Sequence, residues 1–506
     1  MSNIGSSILR NTPRYRFYEM IPGLLTWTTF VLAIALSFIQ PLWVIYFVII
    51  FDLYWLFRVG YFIFFISLSW KHFRNDIKID WQKKVEVLPN WETIYHFVFL
   101  PTYNESIEVL RHTFRSLAET KYPLKKLVVI LGGEERGGRE RFLAKAAEIE
   151  TEFGQLFYKF IITIHPMDLP DEIPGKGSNL NYMGHQVKTI VDQELKIPYE
   201  DIIVSSFDID TCTHPQYFSC LTDTFLNHPN RLRTSYQPIA LYNNNMWESN
   251  PVLRVGAFGT TFWLMTDLMR PERLFTFSSH SMSWQMLVDV DFWEKDIVTE
   301  DSRIFLQGFL RYDGDYTVTP IFVPVSMNTV ADASWWKSIK ALYKQQRRWA
   351  WGVEHLPYMM WHFRTKRQQK KIPFAKRLYY LWNLGEGMYS WATVPTLLFI
   401  LGRLPLYLAQ GQAKASVITQ NAPFVLEYLM DFAMAGILVS AIMSLALLPP
   451  RPEEKSRINY LVMVLQWILL PVTLLLFGSI PATEAQTRLL LGGKYRLGFW
   501  VSPKKK

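Results

Sequence analysis

Cysteine is nearly absent from this chain of 506 residues, which contains only Cys212 and Cys220. That excludes a disulfide framework and a cysteine-rich metal site. Cys212 follows Asp210 by two positions, and it reads as a small buried filler rather than a reactive thiol. Repeats, low-complexity tracts and long linkers are also lacking, which removes solenoids and disordered scaffolds from consideration. Charge is missing in particular places. Segments 21–39 and 460–480 contain no charged side chain, and each is long enough to cross a bilayer. Segments 42–70, 378–408 and 424–448 are as long and carry few charges, among them Asp52, Arg58, Glu386, Arg403, Glu427 and Asp431. A second apolar run follows the first at once, so the first is a span and not a cleavable signal peptide.

What is present points the same way. Half of the residues are hydrophobic, and 19 tryptophans and 25 tyrosines suit a protein with two water–lipid boundaries. The length exceeds one ordinary core, so several structural units are expected. The net charge of +9 does not indicate nucleic acid, because the basic residues sit mostly beside apolar spans. Arg10, Arg14 and Arg16 precede the first span, and Lys71, His72 and Arg74 follow the second. Both flanks therefore read as cytoplasmic, with Gln40–Pro41 as the outer turn.

Between Lys71 and about Lys376 the polarity is mixed. Apolar strand runs at 96–100, 127–131, 159–165 and 202–206 alternate with helical stretches at 107–120, 139–152 and 179–192. Such alternation predicts a mostly parallel sheet with helices on both faces, whose ligands bind beyond the carboxyl ends of the strands. The sequence motifs fall at those ends. Phe207-Asp208-Ile209-Asp210-Thr211 follows the fourth strand. Two carboxylates there can converge on a hard cation that holds a diphosphate, although Asp-x-Asp alone is more often a solvated turn. Pro101-Thr102-Tyr103-Asn104-Glu105 ends the first strand, where polar groups can meet a base and ribose or merely cap a helix. Gly175-Lys176-Gly177-Ser178-Asn179-Leu180-Asn181 combines close backbone approach with a compact positive charge and lacks the Walker spacing. Thr299-Glu300-Asp301 offers either a base for an acceptor hydroxyl or a helix cap. From Trp335 to Val353, a stripe of Lys337, Lys340, Lys344 and Arg347 beside apolar positions predicts a helix along the membrane surface. Gln345, Arg348 and Trp349 share one face of it.

The ordered set Pro-Thr-Tyr-Asn-Glu, Gly-Lys-Gly-x-Asn-Leu-Asn, Asp-x-Asp, Thr-Glu-Asp and Gln-x-x-Arg-Trp, between two groups of spans, resembles a membrane-embedded family 2 glycosyltransferase of the cellulose synthase and hyaluronan synthase kind. The motifs cover about Phe97 to Trp351. The last residues, Phe499-Trp500-Val501-Ser502-Pro503-Lys504, are similar to the Phe-x-Val-Thr-x-Lys gating loop of cellulose synthases. The resemblance implies an α/β, Rossmann-like GT-A domain between N-terminal and C-terminal transmembrane helices. It also implies an inverting, metal-dependent sugar transfer from a UDP-sugar to a growing polysaccharide, coupled to translocation. Thr102, Tyr103, Glu105, Glu134, Lys176 and Asp208 would bind the nucleotide-sugar. Asp208 and Asp210 would hold Mg2+ or Mn2+. Asp301 would be the general base, with Glu300 beside it, and Gln345, Arg348 and Trp349 would bind diphosphate and acceptor. Phe499, Val501, Ser502 and Lys504 would form the gating loop. The implied setting is a bacterial inner (plasma) membrane with the catalytic domain cytoplasmic.

The expected domains are a helix pair at 1–70, the GT-A domain at 71–330 and an interfacial helix region at 331–376. C-terminal spans at 377–480 and a gating-loop-like tail at 481–506 complete the division. Where relatives carry an aspartate pair that reads uracil, this chain has Gly132-Gly133-Glu134-Glu135-Arg136, which leaves the base open. Two spans before the domain and three after would put the basic C-terminus outside, against the positive-inside tendency. Segment 378–408, interrupted by Gly385-Glu386-Gly387, is the expected re-entrant one. Two alternatives stand beside polymer synthesis. One is a single-sugar transferase acting on a polyprenyl-phosphate or other lipid; the other is a nucleotide-regulated channel or transporter. A partner subunit is compatible with each.

Overall fold

The computed structural model describes residues 9–332, 334–410, 414–498 and 500–501. The sequence opens with two long apolar helices, α1 (Pro13–Ile39) and α2 (Pro41–Asp76), each begun by a proline at its first turn. The α/β domain follows. Its strands are β1 (Tyr95–Pro101), β2 (Leu127–Glu134), β3 (Lys159–His165), β4 (Ile202–Ser206), β5 (Cys212–Thr213), β6 (Thr234–Leu241), β7 (His280–Ser283) and β8 (Thr317–Ser326). They form one sheet in the order β3-β2-β1-β4-β7-β6-β8-β5. The first four are parallel, and β7 runs against both β4 and β6. Alternate residues of each parallel strand serve two cores, which is why these strands read as unbroken apolar runs. Val98, Leu100 and Val129 pack with Phe114 on one face, where α3 (Ile107–Ala118) and α4 (Arg139–Phe153) lie. Phe97, Phe99 and Val128 pack with Leu180 and Met183 of α5 (Lys176–Ile190) on the other.

The glycines of β2 are required by this layering. A Cβ on Gly133 would sit 2.5 Å from the Phe142 ring of α4, and one on Gly132 would sit 2.3 Å from Met183 Sδ of α5. The strand thus continues to Glu134, three residues past the apolar run that announced it.

Two further helices close the domain, α6 (Pro251–Leu268) and α7 (Glu300–Arg311), and α8 (Trp335–Ala350) is the expected basic helix. After α9 (His355–His362) come α10 (Phe374–Phe399) with the short helix Leu404–Leu408, α11 (Val417–Ala446), and the stretch Ile458–Leu491. Among the described residues four helices are long and apolar enough to cross a membrane, and α10 with the segment 401–408 is a fifth candidate bent by 47°. The bend falls at Ile400, with Pro395 in the preceding turn, and Gly385-Glu386-Gly387 lies inside unbroken helix.

Side-chain contacts give each helix its direction. α10 starts against the α/β domain, where Lys376 Nζ donates to the Gly314 carbonyl at 2.7 Å and Asn383 Nδ2 to that of Arg273 at 3.1 Å. Its continuation ends at the opposite end of the bundle, with Leu406 against Val44 and Val48 near the α1–α2 turn. α11 returns from Leu426 at that level to Leu447, whose carbonyl accepts from Asn243 of the domain. The bent pair therefore runs from the α/β domain to the α1–α2 turn, and its 47° bend is that of a broken span or of the re-entrant segment expected at 378–408. The stretch Ile458–Leu491 behaves differently. It begins with Tyr460 against Trp247 of the domain, and it ends with Arg16 at the start of α1 donating to the Leu489 carbonyl at 2.6 Å. Both of its ends lie on the domain's side, and 3-10 and π turns at Gln466–Leu469 and Leu474–Ser479 interrupt it.

Candidate functional site

Several chain segments converge at the carboxyl edge of the sheet. After β4 the backbone turns, with Thr211 N donating to the Asp208 carbonyl at 2.9 Å. Asp208 accepts from Lys176 Nζ at 2.8 Å and from Ser278 Oγ at 2.7 Å. Asp210 is buried, and its Oδ2 accepts from the Asn328 backbone N–H at 3.0 Å. Lys176, the first residue of α5, also donates to both Asp301 oxygens at 2.9 and 3.0 Å. Burial works against the charge of this ammonium, but Asp208 and Asp301, then Glu300, outweigh it and hold it charged far above the usual lysine range. The lysine is thus a cation between two carboxylates brought together from 93 positions apart.

Glu300 adjoins that pair but, among the described residues, makes no hydrogen bond to Lys176 that brings it into the same bridge. It is 1% exposed, and its Oε2 has no hydrogen-bond partner among the described residues. Burial first and the charge of Asp301 second push its carboxyl up to about 8, opposed by Lys176 and Arg348. Position 177 is glycine because a Cβ there would lie 3.1 Å from Glu300 Cβ and from the Glu294 carbonyl. Thr299 does not cap α7 with its side chain; its Oγ1 donates to Glu354 Oε1 at 3.1 Å.

On α8, Gln345, Arg348 and Trp349 are half-buried on one face. The Trp349 ring centroid lies 6.1 Å from that of Tyr242, one residue past β6. Desolvation raises the Tyr242 phenol well above its usual range, aided by Asp208, Asp210 and Asp301. Tyr242 therefore stands against the tryptophan and within the field of the three carboxylates. The stripe on α8 turns partly inward, since Tyr343 OH and Arg347 Nη1 both donate to Glu484, at 2.7 and 2.6 Å.

The loop after β1 forms the neighbouring wall. Glu105 Oε2 accepts from Thr102 Oγ1 at 2.6 Å, Tyr103 N at 2.8 Å and Asn104 N at 3.1 Å, while Ser106 caps α3. Thr102, Tyr103, Glu105, Gly137, Arg141 and Lys145 bound a small cavity. The Arg136 guanidinium covers the Tyr103 ring at 4.8 Å and pairs with the buried Glu134. Burial raises the Glu134 carboxyl, and Arg136 moderates the shift. Cys212, expected as a buried filler, is half-buried with its Sγ 3.2 Å from His112 Nδ1; burial, then Asp210, pushes its thiol up to about 12. Phe499, Ser502 and Lys504 lie outside the described residues. Val501 follows Trp500, which packs against the cluster of Leu253, Val330 and Leu342.

Sequence patterns alone do not reveal Tyr242, Ser278, His280 or Asn328. His280 is fully buried and neutral: burial foremost pushes its imidazole down to about 4, and Nδ1–H donates to the Phe277 carbonyl at 2.6 Å. The antiparallel course of β7 brings Ser278 and His280 to this edge, a pairing with no local sequence signal. Among the described residues no three His, Cys, Asp or Glu side chains gather into a ready metal cage. The turn's two carboxylates fit a hard divalent cation that completes its shell with phosphate oxygens and water.

No protein-family model and no curated protein matches the chain. Solved structures with a similar overall shape include the mannosyltransferase PcManGT from Pyrobaculum calidifontis in complex with GDP-Man and Mn2+. It is 14% identical over 76% of this chain and 99% of that one, with a TM-score of 0.42. Another is TarS 1–349 from S. aureus in complex with UDP-GlcNAc, 11% identical over 69% of this chain and 90% of that one, with a TM-score of 0.38.

Proposed function

We propose that the chain is a membrane-embedded, inverting glycosyltransferase with a GT-A domain, of the cellulose synthase and hyaluronan synthase kind. In this reading it extends a polysaccharide from a UDP-sugar and passes the product through its own helices. The observation that carries the reading is the meeting of Asp208, Lys176 and Asp301 at one sheet edge. Asp208 and Asp210 would hold Mg2+ or Mn2+ on the donor diphosphate, and the cation would stabilise the leaving group. Thr102, Tyr103, Glu105 and Glu134 line the side where base and ribose would lie. Asp301 takes the proton from the acceptor hydroxyl as that oxygen attacks the anomeric carbon and inverts it. Lys176 keeps two carboxylates close together before substrate arrives. Arg348 neutralises charge building on the diphosphate with Gln345 beside it, and Trp349 supports the acceptor sugar. Arg58 and Glu386, 3.7 Å apart inside the bundle, suit a polar path.

The test is purified full-length protein in lipid nanodiscs given a panel of nucleotide-sugars with Mg2+ or Mn2+. Metal-dependent polymer is expected from the wild type, and none from Asp210→Asn or Asp301→Asn. Unaltered polymer yield from Asp301→Asn sinks the base assignment. A lipid-phosphate acceptor is a second reading, favoured by an apolar crevice among Trp27, Phe30, Thr396, Ile400 and Leu475 that ends at Tyr343 and Glu484. Product length separates the two.

A further inference from the structure

Next to the carboxylate cluster is a second buried set of charges that the reaction above does not use. Arg303, two residues past Asp301, is fully buried. Its guanidinium lies 3.7 Å from the centre of the Tyr358 ring, and it donates from Nη1 to Glu294 at 2.5 Å and from Nε to His355 Nδ1 at 3.2 Å. With Nδ1 accepting, the other ring nitrogen of His355 carries the proton and meets Ser302 Oγ at 2.7 Å. Burial, then the charge of Arg303, keeps this imidazole neutral. Glu354 accepts from Thr299 as described and lies 3.6 Å from Arg10, whose Nη2 also donates to the Asp296 carbonyl at 3.1 Å.

The connectivity gives this set its meaning. Thr299, Ser302 and Arg303 flank Glu300 and Asp301 on the first turn of α7. Glu354 and His355 follow Trp349 through a single 3-10 turn, Trp351–Glu354. Thr299–Glu354, Ser302–His355 and Arg303–His355 therefore tie the helix bearing Asp301 to the segment bearing Trp349, while Arg303 also holds Glu294 and Arg10 braces the junction from the approach to α1. An exposed surface pair adds little. Arg303, Glu354 and His355 are buried, with Thr299 and Ser302 half-buried against them, which restricts the geometries available to the set.

We propose that His355 and Glu354 are positioning residues for the transfer step: through Thr299, Ser302 and Arg303 they set the Asp301 carboxylate in register with the acceptor platform at Trp349. The proposal rests on the glycosyltransferase reading. A register error of about 1 Å costs on the order of 100-fold in rate. In the proposed reading donor and metal bind mainly at Asp208, Asp210 and the loop after β1, none of which bonds directly to His355 or Glu354, so donor affinity should change far less than transfer.

The experiment uses the full chain in nanodiscs with the nucleotide-sugar that the wild type turns over. It measures donor KM, donor hydrolysis without acceptor, and transfer to acceptor. For His355→Ala, kcat for transfer is expected to fall about 100-fold, with donor KM and hydrolysis within about twofold of wild type. Ser302→Ala should cost less, and adding it to His355→Ala should cost nothing more, because the two act as one unit. His355→Gln keeps a donor and an acceptor and should recover at least tenfold over His355→Ala. It is also the variant to read if the alanine protein does not fold. Wild-type kcat in His355→Ala, or parallel loss of hydrolysis and transfer in a folded His355→Gln, overturns the clamp. A wild type inert toward every nucleotide-sugar overturns the underlying reading instead.

Discussion

Replacing Lys176 by methionine removes a cation bonded to both Asp208 and Asp301 while keeping most of the side chain's volume. Four acids then crowd this sheet edge, since Asp210 lies on the same turn and Glu300 adjoins Asp301. Lys176 is 9% exposed, and its partners' side chains are 28% and 22% exposed. The pair is therefore shielded enough for the cost of an uncompensated buried charge to apply, about 3–5 kcal/mol. For a domain of this size that corresponds to a fall in Tm of the order of 10 °C. Thermal unfolding in nanodiscs, followed by intrinsic fluorescence, gives the shift directly. The cycle with Asp301→Asn identifies its origin. If repulsion is the cause, the double variant is more stable than Lys176→Met alone, with a coupling energy above about 1 kcal/mol. Added Mn2+ or Mg2+ should raise Tm more in Lys176→Met than in wild type, because the freed carboxylates then bind the cation in its place. A Lys176→Met protein that melts with the wild type, or effects that simply add, would refute the reasoning.

Other consequences can be checked in the same preparation. The folded Glu300 carboxyl is raised from 4.5 to about 8 by burial, then by Asp301. Its ionisation opposes folding, so stability declines as pH rises through that window, and the advantage of Glu300→Gln should grow between pH 5 and pH 8. A constant difference in Tm across those values would contradict the shift. Gly133→Ala drives a methyl into the Phe142 ring and should cost about 1–3 kcal/mol, read by chemical denaturation. Trp349→Ala should raise acceptor KM with little change in donor KM, and equal changes in both would remove the tryptophan from the acceptor side.

The first half of the α/β domain was legible because its strands are buried on both faces and its helices carry a clear stripe. β3 and β4 coincide with the runs at 159–165 and 202–206. β2 outran its signal because Gly132 and Gly133 look like a turn, when their smallness serves helices on either side. Thr299 reads as a cap from its spacing, but its hydroxyl goes to Glu354, which only the folded chain brings near. The same limit hid Tyr242, whose ring meets a tryptophan 107 positions later. In segment 378–408 the Gly385-Glu386-Gly387 interruption marks no break, because that stretch stays helical and the bend falls later, at Ile400.

Arg16 reaches the final carbonyls of the stretch ending at Leu491, and Glu19 pairs with Arg496. The polypeptide is thus closed into a loop by charged groups at its own seam. Two polypeptides split between Leu408 and Val417, a break at the end of the bundle remote from that seam, should find each other when produced together, because the junction draws their distal portions into place. Reversing the charge of Arg496 would set two like charges against each other at Glu19 and should prevent such reassembly.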